Sequence, residues 1–252
     1  MFPALAPMLT TPLLKIPILV PDAILTYISL TPPNPPPAAH EQQKYSRTDW
    51  FTKNHLLQTK VVDVCKWALI GLMAAETATI LAQEFPSPLS SRLLSLLVPS
   101  PLARPLPLAP TPRFLLTGAL VVAAGLVRAW TYRTLGKYFR WQLSVLDDHC
   151  RLVTSGPYAW VRHPSYVASA LVSYGNLVLL CGRGTYWTEV GLGRTVAGKV
   201  AAGAVAAYLL FLHAYLISGR VEREDEVLRA QFGEEWEAWA RRTPYKLIPY
   251  IY

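Results

Sequence analysis

The sequence predicts an all-α fold, a polytopic transmembrane helical bundle of about five spans. Three observations predict it. Apolar residues fill 52% of the 252 positions and charged residues only 16%, against about 25% in a soluble domain. Mean hydropathy is +0.25. The apolar residues gather into runs long enough to cross roughly 30 Å of hydrocarbon. The net charge of +8 suits either nucleic acid or an anionic membrane face, and the basic residues lie between the apolar runs, which favours the membrane. Cys65, Cys150 and Cys181 are widely spaced and odd in number, so neither a disulfide nor a metal framework is expected. There is no internal repeat, phosphate-binding loop, dinucleotide glycine pattern or HExxH motif.

The chain reads as three regions: 1–63, an apolar segment, a proline-rich linker and a polar loop; 64–130, transmembrane helices; and 131–252, a catalytic region with two further spans and a C-terminal helix. Met1 to Leu30 is apolar but carries Pro3, Pro7, Pro12, Pro17 and Pro21. It lacks a basic stretch ahead of an uninterrupted apolar core, so no cleaved signal peptide is expected. Leu13 to Leu30 is long enough for a kinked span, because neighbours in a membrane satisfy carbonyls freed by proline; lying at the interface is the alternative. Thr31 to Ala39 is a proline run expected to be a polyproline linker. His40 to Lys60 is polar and expected outside the bilayer, with Trp50 and Phe51 at the interface.

Val64 to Ala82 is the next span, with Glu76 inside it. An intramembrane carboxylate is costly, so Glu76 must face protein or a polar cavity, as a structural partner or a functional acid. Ser87 to Pro112 reads as a loop with an interfacial or re-entrant apolar piece. Phe114 to Trp130 is a third span, whose Gly118, Ala119, Ala123 and Gly125 permit close helix approach. It exits into Arg128, Arg133, Lys137 and Arg140, interleaved with aromatics as at a membrane interface. Tyr166 to Leu180 is a short span, Gly182 to Arg194 a turn, and Thr195 to Ile217 the last span, with small faces at Gly198, Ala202, Ala206 and at Gly203, Ala207. From Arg220 the chain turns charged and amphipathic, with Leu228, Phe232, Trp236 and Trp239 as the apolar face. Basic loops put 131–164 and the C-terminal tail on the cytosolic side, the N-terminus in the lumen, and Arg92, Arg104 and Arg113 on the far side.

The chain is organised around His149 to Tyr166, a polar and aromatic island between apolar segments. Gly156-Pro157 breaks the backbone, and Pro164 both restricts His163 and suits a helix start. Leu-Val-Thr-Ser-Gly-Pro-Tyr followed by Arg-His-Pro-Ser-Tyr resembles the signature of the isoprenylcysteine carboxyl methyltransferases. A second block, from Arg220-Val-Glu-Arg-Glu-Asp-Glu-Val-Leu to Ile248-Pro249, is similar to that family's C-terminal signature. The resemblance implies an integral membrane enzyme, at the endoplasmic reticulum with its site facing the cytosol. It implies methyl transfer from S-adenosylmethionine to the carboxylate of a prenylated cysteine, with prenylated protein C-termini and the bilayer as partners and no nucleic acid.

By that resemblance the pocket is formed by the central loop and the C-terminal helix. The cofactor is held by Leu152, Val153, Tyr158, His163, Pro164, Ser165 and Tyr166, with Gln142 upstream and Glu224 from the helix. Either His149 or Cys150 takes the family histidine's position, since two residues intervene before Leu152 where the family has one. Arg220 binds the substrate carboxylate, and Arg162 joins it as a catalytic cation. Asp225 stands where a second Glu is common, and the tail reads Thr-Pro-Tyr-Lys-Leu-Ile-Pro rather than a Val-Pro-x-Gly-Ile-Pro type ending.

The chemistry asks for these residue types. A carboxylate attacking a sulfonium methyl needs no strong base; it needs orientation and loss of water. Taken singly, each residue has a plainer explanation. Arg220 and Glu224 alone are an i, i+4 ion pair worth about 0.3 kcal/mol, Arg162 a lipid-headgroup contact, and the aromatics an interface belt. Two other functions fit the pattern: the same architecture acting on a phospholipid amine or another lipophilic small molecule, and a non-catalytic membrane scaffold.

Overall fold

The computed structural model describes residues 11–38, 50–98, 105–143 and 151–252. Among these there is no strand, and the longest helices take in the apolar runs, one of them starting at His55 inside the expected polar stretch. They are α1 (Ile16–Ser29), α2 (Trp50–Lys53), α3 (His55–Glu84), α4 (Pro88–Leu97), α5 (Pro112–Leu135), α6 (Pro164–Leu180), α7 (Tyr186–Glu189), α8 (Val196–Tyr215), α9 (Val221–Phe232) and α10 (Glu234–Arg242).

Four helical stretches are long and apolar enough to cross a membrane: Pro12–Ser29, His55–Glu84, Pro112–Tyr138 and Val196–Phe232. Only 22–39% of their most apolar windows is buried within the protein. Leu116, Leu126, Val196, Val200 and Leu210 are all more than half exposed. Helices apolar on the outward face as well as the inward one need hydrocarbon around them, so the chain is an integral, multi-pass membrane protein. The fifth expected span, α6, is shorter, an apolar helix of 17 residues.

The chain packs as two compact units. The first comprises Met1–Tyr27, Cys65–Ala123 and Leu171–Leu209. The second comprises Ile28–Val64, Ala124–Ala170 and Leu210–Tyr252.

In the first unit, the Thr11 hydroxyl accepts from the Leu13 amide and caps a 3₁₀ turn, Pro12–Lys15, that leads into α1. The Lys15 amine is buried against the Glu76 carboxylate and donates to the Gly184 carbonyl at 2.7 Å. Glu76 also accepts from the Tyr186 amide at 3.0 Å. Glu76 is therefore a structural partner, and its counter-ion comes from the N-terminal segment. That pair ties α1, α3 and the 182–194 stretch together, so this stretch, expected as a plain turn, is folded into the unit and carries α7. Asn176 donates to the Thr26 hydroxyl at 2.8 Å, which donates in turn to Asp22 at 3.2 Å.

Gly118 does the close packing expected of it on α5, and the two glycines of α8 do not. A Cβ at Gly118 would lie 2.4 Å from Ile18 of α1, and one at Gly175 would lie 2.3 Å from Val121. A Cβ at Gly203 would meet nothing within 4 Å, and one at Gly198 would meet the Leu192 carbonyl of its own preceding turn. Gly203 is thus not at a close helix–helix seam, and the near neighbours of Gly198 belong to the turn before its own helix. Part of the expected loop from Ser87 onward is α4, because Ser87 caps it through the Ser90 amide at 3.0 Å and Pro88 suits the first turn.

In the second unit, the proline run has no helix or strand over residues 31–38 and is anchored. Asn34 donates to the carbonyls of Gly136 and Phe139 at 2.8 and 3.0 Å. Tyr132 donates to the Ser29 carbonyl at 2.9 Å. The last apolar helix does not stop at Ile217: Leu216–Arg220 widens to a π-helical turn and the helix continues through α9. Gly233, at φ 50°, then breaks it before α10, a backbone conformation open to glycine at little cost.

Candidate active site

The second unit gathers the chemistry. Leu152 and Tyr158 of the central loop pack with Trp236 and Trp239 of α10 in one buried cluster, flanked by Val153, Leu228 and Phe232. The expected apolar face of the C-terminal segment is therefore the wall against which the loop is folded. Trp239 Nε1 donates to the Tyr158 carbonyl at 3.0 Å. Gly156 turns the loop at φ 60°, where a side chain would be strained and would also press on Thr134 and Trp130. Burial, and after it the Glu224 carboxylate, pushes the Tyr158 phenol well above its ordinary value, so it remains a neutral hydrogen-bonding group.

The loop is also fastened to the tail. The amides of Arg162 and His163 donate to the carbonyls of Tyr245 and Lys246 at 2.9 and 2.8 Å. The Arg162 guanidinium reaches the Thr243 and Pro244 carbonyls at 3.0 Å each and Asp225 Oδ2 at 3.1–3.2 Å. All three of its nitrogens are engaged, and the side chain is buried. This differs from the sequence expectation of a catalytic cation: Arg162 fastens the loop to α9 and the tail. Asp225 is the residue that makes this possible. It also takes His163 Nε2 at 2.8 Å on its other oxygen.

Beyond that buried knot lies a second line of polar groups, which opens only at the partly exposed Glu224. Tyr166 donates its hydroxyl to Glu224 Oε2 at 2.7 Å and accepts from Arg220 Nε at 3.1 Å. His163 Nδ1 faces the same Glu224 oxygen at 3.6 Å. Arg220 also donates to the Trp141 carbonyl, and its guanidinium carbon lies 5.1 Å from the Phe51 ring centre. Arg220 and Glu224 therefore meet on Tyr166. The π-helical turn that ends at Arg220 adds a residue to the helix just before this pair and resets the register of α9. No signal in the sequence marks that turn.

Pro164 opens α6, as its place in the first turn favours. Ser165 is buried and receives Arg128, which donates to its carbonyl at 2.9 Å and to its hydroxyl. The Arg128 guanidinium also covers Tyr132 at 4.8 Å. Sequence reasoning put Arg128 in a basic exit at the membrane interface; it is instead a buried support for the start of α6. Gln142 is buried beside Trp141 in the chain. His149 and Cys150 lie outside the described residues. Among those described, no group of three His, Cys, Asp or Glu side chains suits a metal ion.

Residues 116–230 match the sequence model of the isoprenylcysteine carboxyl methyltransferase family. Over this segment, a little under half of the chain, the sequence is similar to that family. It is 34% identical over 137 residues to the protein-S-isoprenylcysteine O-methyltransferase of Mus musculus, covering 54% of this chain and 41% of that protein. It is 25% identical over 133 residues to the Arabidopsis thaliana protein-S-isoprenylcysteine O-methyltransferase B, covering 52% and 57%. A shorter similarity, 40% identity over 45 residues, links it to a Delta(14)-sterol reductase of Saccharomyces cerevisiae, covering 18% and 10%. The chain thus spans about two fifths of the length of the mammalian relative. The family segment takes in the central loop, α6, α8, Arg220 and Glu224, but ends before α10 and the tail that hold the loop down.

Proposed function

We propose that this protein transfers a methyl group from S-adenosylmethionine to the carboxylate of a prenylated cysteine at the membrane. The observation that supports it most is the Arg220–Tyr166–Glu224 line. It supplies a cation for the acceptor carboxylate and an acid for a polar cofactor within one hydrogen-bonded group. The residues fit the cofactor chemically. Glu224 is 35% exposed, and its contacts with Tyr166 and His163 both fall on Oε2, so Oε1 can accept from a ligand hydroxyl or ammonium. Leu152, Val153 and Tyr158 supply apolar and aromatic groups in the same unit, and His163, Ser165 and Gln142 supply polar ones. When bound, S-adenosylmethionine supplies the electrophilic methyl on a sulfonium.

The protein's own part is placement. Arg220 pairs with the acceptor carboxylate and orients one of its oxygens toward the donor. Tyr166 fixes the guanidinium and the Glu224 carboxylate relative to each other. Arg162, Asp225 and His163 hold the loop in register with α9. Burial of Arg220 and His163, each under 5% exposed, reduces water around the reacting carboxylate, which raises its nucleophilicity. No general base is required, because the acceptor is ionised already.

We assign the site to the cytosolic face and the protein to the endoplasmic reticulum, on the basic residues of 131–143 and the family relationship. Relatives named for isoprenylcysteine favour this acceptor over a phospholipid amine. The test is to purify the protein in detergent, offer labelled S-adenosylmethionine, and compare a farnesylcysteine analogue with a phospholipid amine. Base-labile label on the farnesylcysteine is expected. Label on the amine alone, or none on either, would overturn the assignment.

A further inference from the structure

We propose that Phe51 is a positioning residue that selects the methyl acceptor, by covering the Arg220 guanidinium with an apolar face. The proposal rests on the methyl-transfer reading above. Phe51 sits on the four-residue helix α2, far outside the 116–230 family match. Its sequence context, a polar loop, led to the expectation of an interface aromatic. The side chain is instead 7% exposed. Its ring centre lies 5.1 Å from the Arg220 guanidinium carbon, within the range of a cation held against an aromatic ring. Arg220 is 3% exposed, with its Nε on Tyr166 and a terminal nitrogen on the Trp141 carbonyl. The ring therefore adds a further contact to the guanidinium beside these hydrogen bonds.

The ring acts in two ways. An aromatic ring against a desolvated cation holds it more firmly than one in water. A cation shielded from water also attracts a carboxylate more strongly, since the local dielectric is lower. The carboxylate that reaches Arg220 must approach beside an apolar ring. A carboxylate drawn to a cation in such apolar surroundings must shed its water, which costs a small hydrophilic acid more than an acid whose long hydrocarbon substituent gains apolar burial at the same time. Phe51 thus favours lipophilic thioether carboxylates over short ones.

The test compares Phe51→Ala, Phe51→Leu and Phe51→Trp with the parent and with Arg220→Ala. The readouts are acceptor KM and kcat for a farnesylcysteine analogue and for a short S-alkylcysteine, and the Kd for S-adenosylmethionine. Phe51→Ala is expected to raise the farnesylcysteine KM about tenfold. It should also narrow the preference over the short acceptor and leave cofactor affinity unchanged. Phe51→Leu keeps apolar volume but loses the ring, and should fall between Ala and the parent; Phe51→Trp should behave as the parent. If Phe51→Ala does not fold, Phe51→Leu decides. Parental KM and preference in the foldable Ala and Leu variants, with Arg220→Ala impaired, would overturn the role of Phe51 alone. Full activity of Arg220→Ala would overturn the role of Arg220, and that of Phe51 with it.

Discussion

The first unit holds a buried ion pair, Lys15–Glu76, while the second holds a run of charged and phenolic groups extending from Arg162 to Arg220. The two are built from the same kinds of side chain and end differently. Lys15 and Glu76 are each about 1% exposed, and each is also engaged by the backbone of the 182–194 stretch. Nothing in that arrangement is left for a ligand. In the second unit the Asp225 end is equally closed, with Arg162 and His163 both spent on it. The Glu224 end is not, with 35% of that side chain exposed. Burial of charge alone therefore does not mark a site. What marks it is a buried, fully engaged cluster that supports a second group left partly open.

That contrast can be broken by substitution, and the largest effect should fall at the open end. Arg220→Ala and Glu224→Ala should each reduce methyl transfer by about a hundredfold or more, as expected when a group aligned with the reacting centre is removed. Steady-state kinetics should divide them: Arg220→Ala acts on acceptor use with cofactor affinity kept, and Glu224→Ala acts on cofactor affinity.

The closed pair should answer in stability instead. Lys15→Met leaves a carboxylate buried without its partner and is expected to cost about 3–5 kcal/mol, read by thermal unfolding in detergent. The double variant Lys15→Met, Glu76→Leu should regain most of that, because no unpaired charge remains. Activity per folded molecule should match the parent in both.

Asp225→Asn sharpens the comparison, since it lies at the closed end of the candidate site. A loss of about 2–3 kcal/mol in stability is expected, with weakened cofactor affinity as the loop loosens. Tyr166→Phe should have the smallest effect on folding. It removes the hydroxyl shared by Arg220 and Glu224, and a hydrogen bond to a charged group is worth about 1.5–3 kcal/mol. The expected loss is therefore roughly tenfold or more in kcat/KM, with little change in unfolding temperature.

Much of this was legible in the residues. The apolar runs predicted the long helices because lipid leaves a spanning backbone no other way to satisfy its hydrogen bonds. Spacing on the C-terminal segment predicted that Leu228, Phe232, Trp236 and Trp239 share a face, and that face receives the loop. The pairings were not legible. Lys15 and Glu76 lie 61 residues apart, and a lone lysine in a proline-broken apolar segment carries no sign of its partner. Arg162 and Arg220 look alike in sequence; only the three-dimensional fit of Asp225 and the tail carbonyls separates the one that fastens the loop from the one that meets Tyr166 beside the partly exposed Glu224. The π-helical turn before Arg220 and the approach of Phe51 arise from tertiary packing, so no local pattern records them.

The most direct test of the open site is a titration of the purified protein with S-adenosylmethionine, before and after Glu224→Ala, with a farnesylcysteine analogue added at the end. Saturable binding to the parent, weakened at least tenfold by Glu224→Ala and leading on to methyl transfer, is the expected result. Absence of binding to the folded parent, or identical affinity without the Glu224 carboxylate, would contradict it.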